Sequence, residues 1–166
     1  MKNKHLKNFK IYVAGHNGMV GRALVRYLKK EGVKNIIFAN RKSLDLLNTK
    51  DLEKFIKFKK PDIIINCAGR VGGILANSSY PVEFINENIL IQLNLINLAY
   101  KHKIKHFVNL GSSCIYPKNS KQPIKEKYLL SNELEKTNEA YALAKIVGLK
   151  ICEFYNQQYK TNFFTL

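Results

Sequence analysis

Two hydrophobic rhythms alternate along this 166-residue chain. Short unbroken apolar runs stand at Ile11-Tyr12-Val13-Ala14, Ile36-Ile37-Phe38-Ala39, Ile63-Ile64-Ile65 and Phe107-Val108, and Asn162-Phe163-Phe164-Thr165-Leu166 opens a fifth. Their β-branched and aromatic content predicts strands, and the lack of polar alternation predicts burial on both faces, as in a parallel sheet. Between these runs apolar residues return every three or four positions, the period of a helix with one buried stripe. Val20, Ala23, Leu24, Tyr27 and Leu28 make one stripe, with Gly32 placed to end the helix. Leu52, Phe55 and Ile56 make another, with Asp51 as the expected cap and Pro61 as the stop. Val82, Ile85, Ile89, Leu93, Ile96 and Leu98 predict a long helix over 81–101, and a last helix is expected over 139–159. The polar stretch 118–138 reads as loop. Alternating strands and helices predict an α/β class, a doubly wound parallel sheet in one domain over 1–166.

The first strand leads into Gly15-His16-Asn17-Gly18-Met19-Val20-Gly21 and then into a helix. A strand, a glycine-punctuated turn and a helix in that order suit a dinucleotide, because the backbone amides approach its pyrophosphate at the helix N-terminus. The sheet is therefore expected to be Rossmann-like, with Gly15, Asn17, Gly18, Met19, Val20 and Gly21 binding a cofactor. In such a fold the end of the second strand meets the adenosine ribose, where an acid favours NAD and an arginine favours the 2′-phosphate of NADP. Arg41 and Lys42 stand there with no acid, which favours NADP, a solvated surface pair being the plain alternative. The loop Cys67-Ala68-Gly69-Arg70-Val71-Gly72-Gly73 leaves the third strand beside the glycine loop, which adds Ala68 and Gly69 to the cofactor site.

Composition narrows the choice of partner. The net charge of +16 invites a nucleic-acid reading, but the lysines are dispersed along the chain and Arg22, Arg26, Arg41 and Arg70 are the sole arginines. Dispersed charge sets solubility, so an anionic substrate or cofactor is expected and nucleic acid is not. No apolar run reaches the length of a membrane span, and no apolar segment follows the basic N-terminus, so a cytoplasmic, membrane-free protein is expected. Cys67, Cys114 and Cys152 are odd in number and widely spaced, which argues for reduced thiols and against both a disulfide framework and a zinc site. His102 and His106 straddle a helix-to-strand connection and read as no metal pair.

Tyr141 and Lys145 lie four residues apart, on one face of the last expected helix. An ammonium beside a phenol favours the phenolate and lowers its pKa, making tyrosine a usable acid or base. Ser112, in the loop after the fourth strand, is placed to bond the same substrate oxygen. A packed Tyr with a snorkelling Lys is the plain alternative for the helix pair.

The glycine loop, the serine-bearing loop and Tyr-x-x-x-Lys, in that order, resemble the extended short-chain dehydrogenase/reductases that act on nucleotide sugars. More closely, Ala14-Gly15-His16 with Gly18-Met19-Val20-Gly21, Val71-Gly72-Gly73-Ile74 with Ala76-Asn77 and Tyr80-Pro81, and Gly111-Ser112-Ser113-Cys114-Ile115-Tyr116-Pro117 resemble the GDP-L-fucose synthase family. So do Thr137-Asn138-Glu139, Tyr141-Ala142, Ala144-Lys145 and Cys152-Glu153. The resemblance implies epimerisation at C3 and C5 of GDP-4-keto-6-deoxy-D-mannose, then NADPH-dependent reduction at C4, in a homodimer. It makes Tyr141 the proton donor, Lys145 its pKa-lowering and ribose-binding partner, Ser112 the ketone-orienting hydroxyl and Cys114 the epimerisation thiol. A thiolate near a cation is able to remove a proton α to a ketone. Without the resemblance, Cys114 reads as a small buried hydrophobe.

Two positions depart from that pattern. Asn17 stands where many relatives carry an arginine near the NADP phosphate, and Arg70 stands where a lysine is common. The family's partner histidine for epimerisation and its sugar-gripping domain lie beyond the point matching Leu166, and His5, His16, His102 and His106 do not replace that histidine by position. The chain is therefore expected to be a fragment lacking the C-terminal substrate domain, retaining most of the NADP site and turning over little substrate. Two alternatives stay open, an NAD-using nucleotide-sugar epimerase or dehydratase and a non-catalytic dinucleotide-binding module.

Overall fold

The computed structural model describes residues 6–166, so the basic stretch Met1–His5 of the sequence reading lies outside the described residues. A 3₁₀ turn at Leu6–Asn8 precedes β1 (Ile11–Ala14) and α1 (Met19–Lys30). Then come β2 (Ile36–Ile37), α2 (Thr49–Lys59), β3 (Ile63–Asn66), α3 (Ile74–Ser79), α4 (Pro81–Lys101), β4 (His106–Asn109), α5 (Glu139–Tyr159) and β5 (Phe163–Thr165). The five strands form one parallel sheet in the order β2-β1-β3-β4-β5. The doubly wound class read from the sequence is the class observed.

Successive residues of β1 point to opposite faces and join different cores. Tyr12 and Ala14 pack with Ile64, Phe107 and Phe163 of the sheet, with Leu52 and Ile56 of α2, and with Ile91, Leu95 and Leu98 of α4. Ile11 and Val13 pack on the other face with Ile63, Leu28 and Val33, against Leu24 and Val25 of α1. Helices on both faces explain why these strands carry no polar alternation. No described helix is long and apolar enough to cross a membrane.

Four sequence expectations change. Val20, Ala23 and Tyr27 are exposed, and the face that α1 turns to the core is Gly21 and Leu28, buried, with Leu24 and Val25, half-buried, because the sheet selects a narrower arc than the apolar residues offer. The second strand is a two-residue, half-buried edge strand rather than a buried strand over 36–39, and Phe38 is exposed. It pairs on one side alone, with β1. The cap of α2 is Asn48, whose side chain accepts from the Asp51 amide, while Asp51 sits in the first turn and receives the Asn48 amide at 2.8 Å. On α4 the buried face runs through Phe84, Asn88, Ile91, Gln92, Leu95, Leu98 and Ala99, and Val82 is exposed. That face contains polar residues because their hydrogen bonds are met inside the fold.

The register brings the carboxyl ends of the strands into line. Ala14 lies opposite Asn66, Asn66 opposite Asn109, and Asn109 opposite Thr165. The loops after β1, β3 and β4 therefore leave the sheet side by side.

Candidate functional site

Gly15 opens the first of these loops with a φ of +77°, a region that side chains disfavour, and a Cβ on it would stand 2.6 Å from the Ala68 backbone nitrogen. Gly21 lies in the first turn of α1, where a Cβ would overlap the Gly15 carbonyl and stand 2.8 Å from the His16 Cα. These two glycines let the loops after β1 and β3 press together and let α1 press against the first loop. Gly21 is buried and shapes the loop from beneath. Above it, Gly15, Asn17, Gly18, Met19 and Val20 line a cleft of about 520 Å³. The first turn of α1 carries no acidic residue, and Gly18 offers no capping side chain, so its amides are available to an anion.

The rest of the cleft wall comes from the neighbouring loops and from α4 and α5. It includes Arg41, Cys67, Ala68, Gly69, Arg70, Glu87, Gly111, Tyr141 and Lys145. Every cofactor candidate named from the sequence except Gly21 therefore borders one cavity. Asn17 donates to the Asn40 Oδ1 at 2.7 Å, and His16 stacks on Phe38 with ring centroids 4.6 Å apart. Arg41 reaches across to Glu87 at 3.9 Å, and Arg70 holds the same carboxylate at 2.6 Å. Sequence reasoning missed Glu87, because an acid on a long helix carries no signal until the fold places it in a cleft.

A buried polar ladder fixes the floor. Asn66 donates to Asn109 at 3.0 Å, Asn109 donates to Gln92 at 2.8 Å, and Gln92 donates to the carbonyls of Asn88 and Ala144, each at 2.9 Å. Its chain of satisfied bonds ties β3, β4, α4 and α5 into one rigid unit. Asparagine at the end of two apolar strands was the available signal.

Lys145 is buried, and its ammonium donates to the Leu110 carbonyl at 2.7 Å. Burial pushes its pKa down, opposed by the Cys67 thiol. Burial pushes Cys67 up, opposed by Lys145. Lys145 also lies 5.7 Å from the centre of the Tyr141 ring. The expected lowering of the tyrosine pKa is not what this arrangement produces. Burial raises the Tyr141 pKa, the Cys114 thiol adds to the rise, and the Ser112 hydroxyl pulls the other way by hydrogen bonding. The desolvation of a half-buried phenol outweighs a cation that is engaged elsewhere.

Ser112 and Cys114 stand beside Tyr141 rather than in the cleft wall. The Ser112 hydroxyl caps the 3₁₀ turn Ser113–Ile115 by accepting from the Cys114 amide at 3.3 Å. Asn138, rather than the expected cation, donates to the Cys114 sulfur at 3.3 Å. His102 and His106 are engaged elsewhere, with Glu53 at 3.1 Å and with Asn162 at 2.5 Å. Cys67, Cys114 and Cys152 are all free thiols.

Residues 11–166 match the family described as NAD dependent epimerase/dehydratase. GDP-L-fucose synthase 1 of Arabidopsis thaliana is 49% identical over 153 residues, which are 92% of this chain and 47% of that protein. GDP-L-fucose synthase of Escherichia coli K12 is 44% identical over 150 residues, 90% of this chain and 47% of that one. Among solved structures, the GDP-mannoheptose C4 reductase MlghC of Campylobacter jejuni, with NADP bound, superposes with a TM-score of 0.92 at 42% identity, covering 96% of this chain and 47% of its own. This chain thus spans about half the length of the curated relatives it matches.

Proposed function

Since the chain belongs to the NAD dependent epimerase/dehydratase family, we propose that it is the NADP-binding domain, residues 1–166, of a GDP-L-fucose synthase. The activity would be 3,5-epimerisation and NADPH-dependent 4-reduction of GDP-4-keto-6-deoxy-D-mannose, carried out in the cytoplasm by a homodimer of the two-domain form. The observation that carries this reading is the place of Tyr141, which borders the glycine-loop cleft and is coupled to both Ser112 and Cys114. One residue thereby joins a nucleotide-sized cavity to two further proton-handling groups.

The cleft fits NADP. Gly15 and Gly21 admit no added side chain, the open first turn of α1 suits a pyrophosphate, and Arg41 is a largely exposed cation on the cleft wall for a 2′-phosphate. When bound, the reduced nicotinamide supplies the hydride. Lys145 is held in place by the Leu110 carbonyl to bind the ribose. A phenol whose pKa is raised is protonated near neutrality, the state in which Tyr141 gives its proton to the C4 oxygen of the ketone. Ser112 orients that oxygen, and Cys114 removes or returns the proton α to the ketone. His16, His102 and His106 are not among the groups that meet Cys114, so turnover by this chain alone falls well below that of a two-domain relative.

Thermal unfolding with added cofactor tests the binding half of this reading. NADPH raises the midpoint, by about 2.7 kcal/mol of added stability at a hundredfold excess over Kd, and NADH raises it less. No shift with either cofactor overturns the cofactor site. Conversion of the 4-keto sugar by this chain at the rate of a two-domain enzyme overturns the impaired activity.

A further inference from the structure

Asn138 immediately precedes α5, the position at which asparagine ordinarily caps a helix, yet its side chain makes no capping hydrogen bond. Its Nδ2 donates instead to the Cys114 sulfur at 3.3 Å. The Oδ1 of the same amide is buried and meets no partner among the described residues. An unmet buried acceptor is costly, and a fold that keeps one beside a sulfur has placed the amide for that sulfur rather than for the helix.

We propose that Asn138 is the positioning residue of Cys114, an amide that donates to the thiolate and turns over to accept from the thiol once the sulfur has taken up a proton. The chemistry follows from the two ends of a carboxamide, which offer two donors on nitrogen and an acceptor on oxygen. A charged acceptor strengthens an N–H bond, so the nitrogen end of the amide is the end that suits a thiolate. The unmet Oδ1 is the acceptor that the protonated sulfur requires after half a turn of the amide. The Cys114 thiol also faces Tyr141 of α5 and adds to the rise of that phenol's pKa. Lys145, one turn beyond Tyr141, is coupled to Cys67, and Glu135, three residues before Asn138, is held by Lys118 at 2.8 Å.

The assignment rests on the proposed epimerase reading for the work the thiol does, but its test requires neither cofactor nor sugar. Site-resolved alkylation by iodoacetamide, followed by peptide mass spectrometry across pH, reports the ionisation of each cysteine in the intact chain. In Asn138→Ala the midpoint of Cys114 alkylation moves up by about one pH unit. Near pH 7 the thiolate fraction falls about tenfold and its intrinsic nucleophilicity rises about threefold, so the net rate falls about threefold. Asn138→Asp keeps the shape, adds a like charge and moves the midpoint further. Cys67 is the internal control and keeps its own midpoint. An unchanged Cys114 midpoint in a folded Asn138→Ala chain overturns the proposal. If Asn138→Ala unfolds and exposes all three thiols, Asn138→Ser, which suits the position before a helix but lacks the amide, decides in the same way. Loss of NADPH binding with the alkylation shift intact refutes the cofactor reading and leaves this one standing.

Discussion

Gly148 lies on α5 against the buried ladder, seven residues after Tyr141 and three after Lys145. A Cβ there would overlap the Gln92 Oε1, stand 2.5 Å from the Gln92 Cδ and stand 2.9 Å from the Asn109 Nδ2. In Gly148→Ala, Gln92 has to move, and it is the acceptor for Asn109 and the donor to the Asn88 and Ala144 carbonyls. Overpacking of a dense interior costs about 1–3 kcal/mol. An orphaned buried donor on Asn109 adds about 1–3 kcal/mol. Against this, alanine in a helix interior is favoured over glycine by about 1 kcal/mol. The packing terms win, with a net loss of about 3 kcal/mol. For a domain of this size that corresponds to a midpoint about 6–12 °C lower. Thermal and urea unfolding followed by circular dichroism measure it directly. The packing and helix-propensity effects have opposite signs, so a Gly148→Ala chain as stable as the parent, or about 1 kcal/mol more stable, refutes the claim that the ladder fixes α5. Because α5 carries Tyr141 and Lys145, NADPH stabilisation should weaken together with the fold.

Two further outcomes probe the cleft and the core. Arg41→Ala lowers NADPH affinity about tenfold or more while leaving NADH affinity nearly unchanged, measured by fluorescence titration, since a hydrogen-bonded charge contact to phosphate is lost and the 2′-hydroxyl never used it. The buried Cys152 thiol is pushed from 9.0 up to about 11, chiefly by burial, so the fold favours its neutral form. A raised folded-state pKa means this contribution is complete below about pH 9 and is lost as pH rises through about 11, a fall of roughly 2–3 kcal/mol. Urea unfolding at pH 8 and pH 11 shows that fall, and Cys152→Ala removes it. An equal loss in the variant assigns the alkaline instability to other groups, such as the buried Tyr12 and the half-buried Tyr141, whose pKa values are also raised by burial.

How much was legible depended on whether the signal was local. The run Ile11–Ala14, the glycine spacing and the helix after it are properties of neighbouring residues, and the strand, the loop and α1 stand where the pattern placed them. The long helices at 81–101 and 139–159 also stand at the expected bounds, because their length outweighs any single residue. The short helix α3 at Ile74–Ser79 escaped, since six residues carry no full stripe. Polar residues at α4 positions 88 and 92 were unreadable as interior until Asn109 and Ala144 arrived from more than a dozen residues away.

The sequence by itself determined the alternation of elements, the parallel sheet and the cradle of Gly15–Gly21, because backbone conformation and hydrophobic period act over a few residues. The tertiary structure alone decided which face of each helix is buried, and it alone aligned Ala14, Asn66, Asn109 and Thr165 so that three loops share one cleft. It also decided the protonation of the site. The i, i+4 spacing put Lys145 beside Tyr141, but burial, the Leu110 carbonyl and Cys67 claimed the ammonium, and the phenol rose where the spacing had predicted a fall. A pKa answers to every charge and dipole around a group and to the water removed from it, and that environment exists only once the chain has folded.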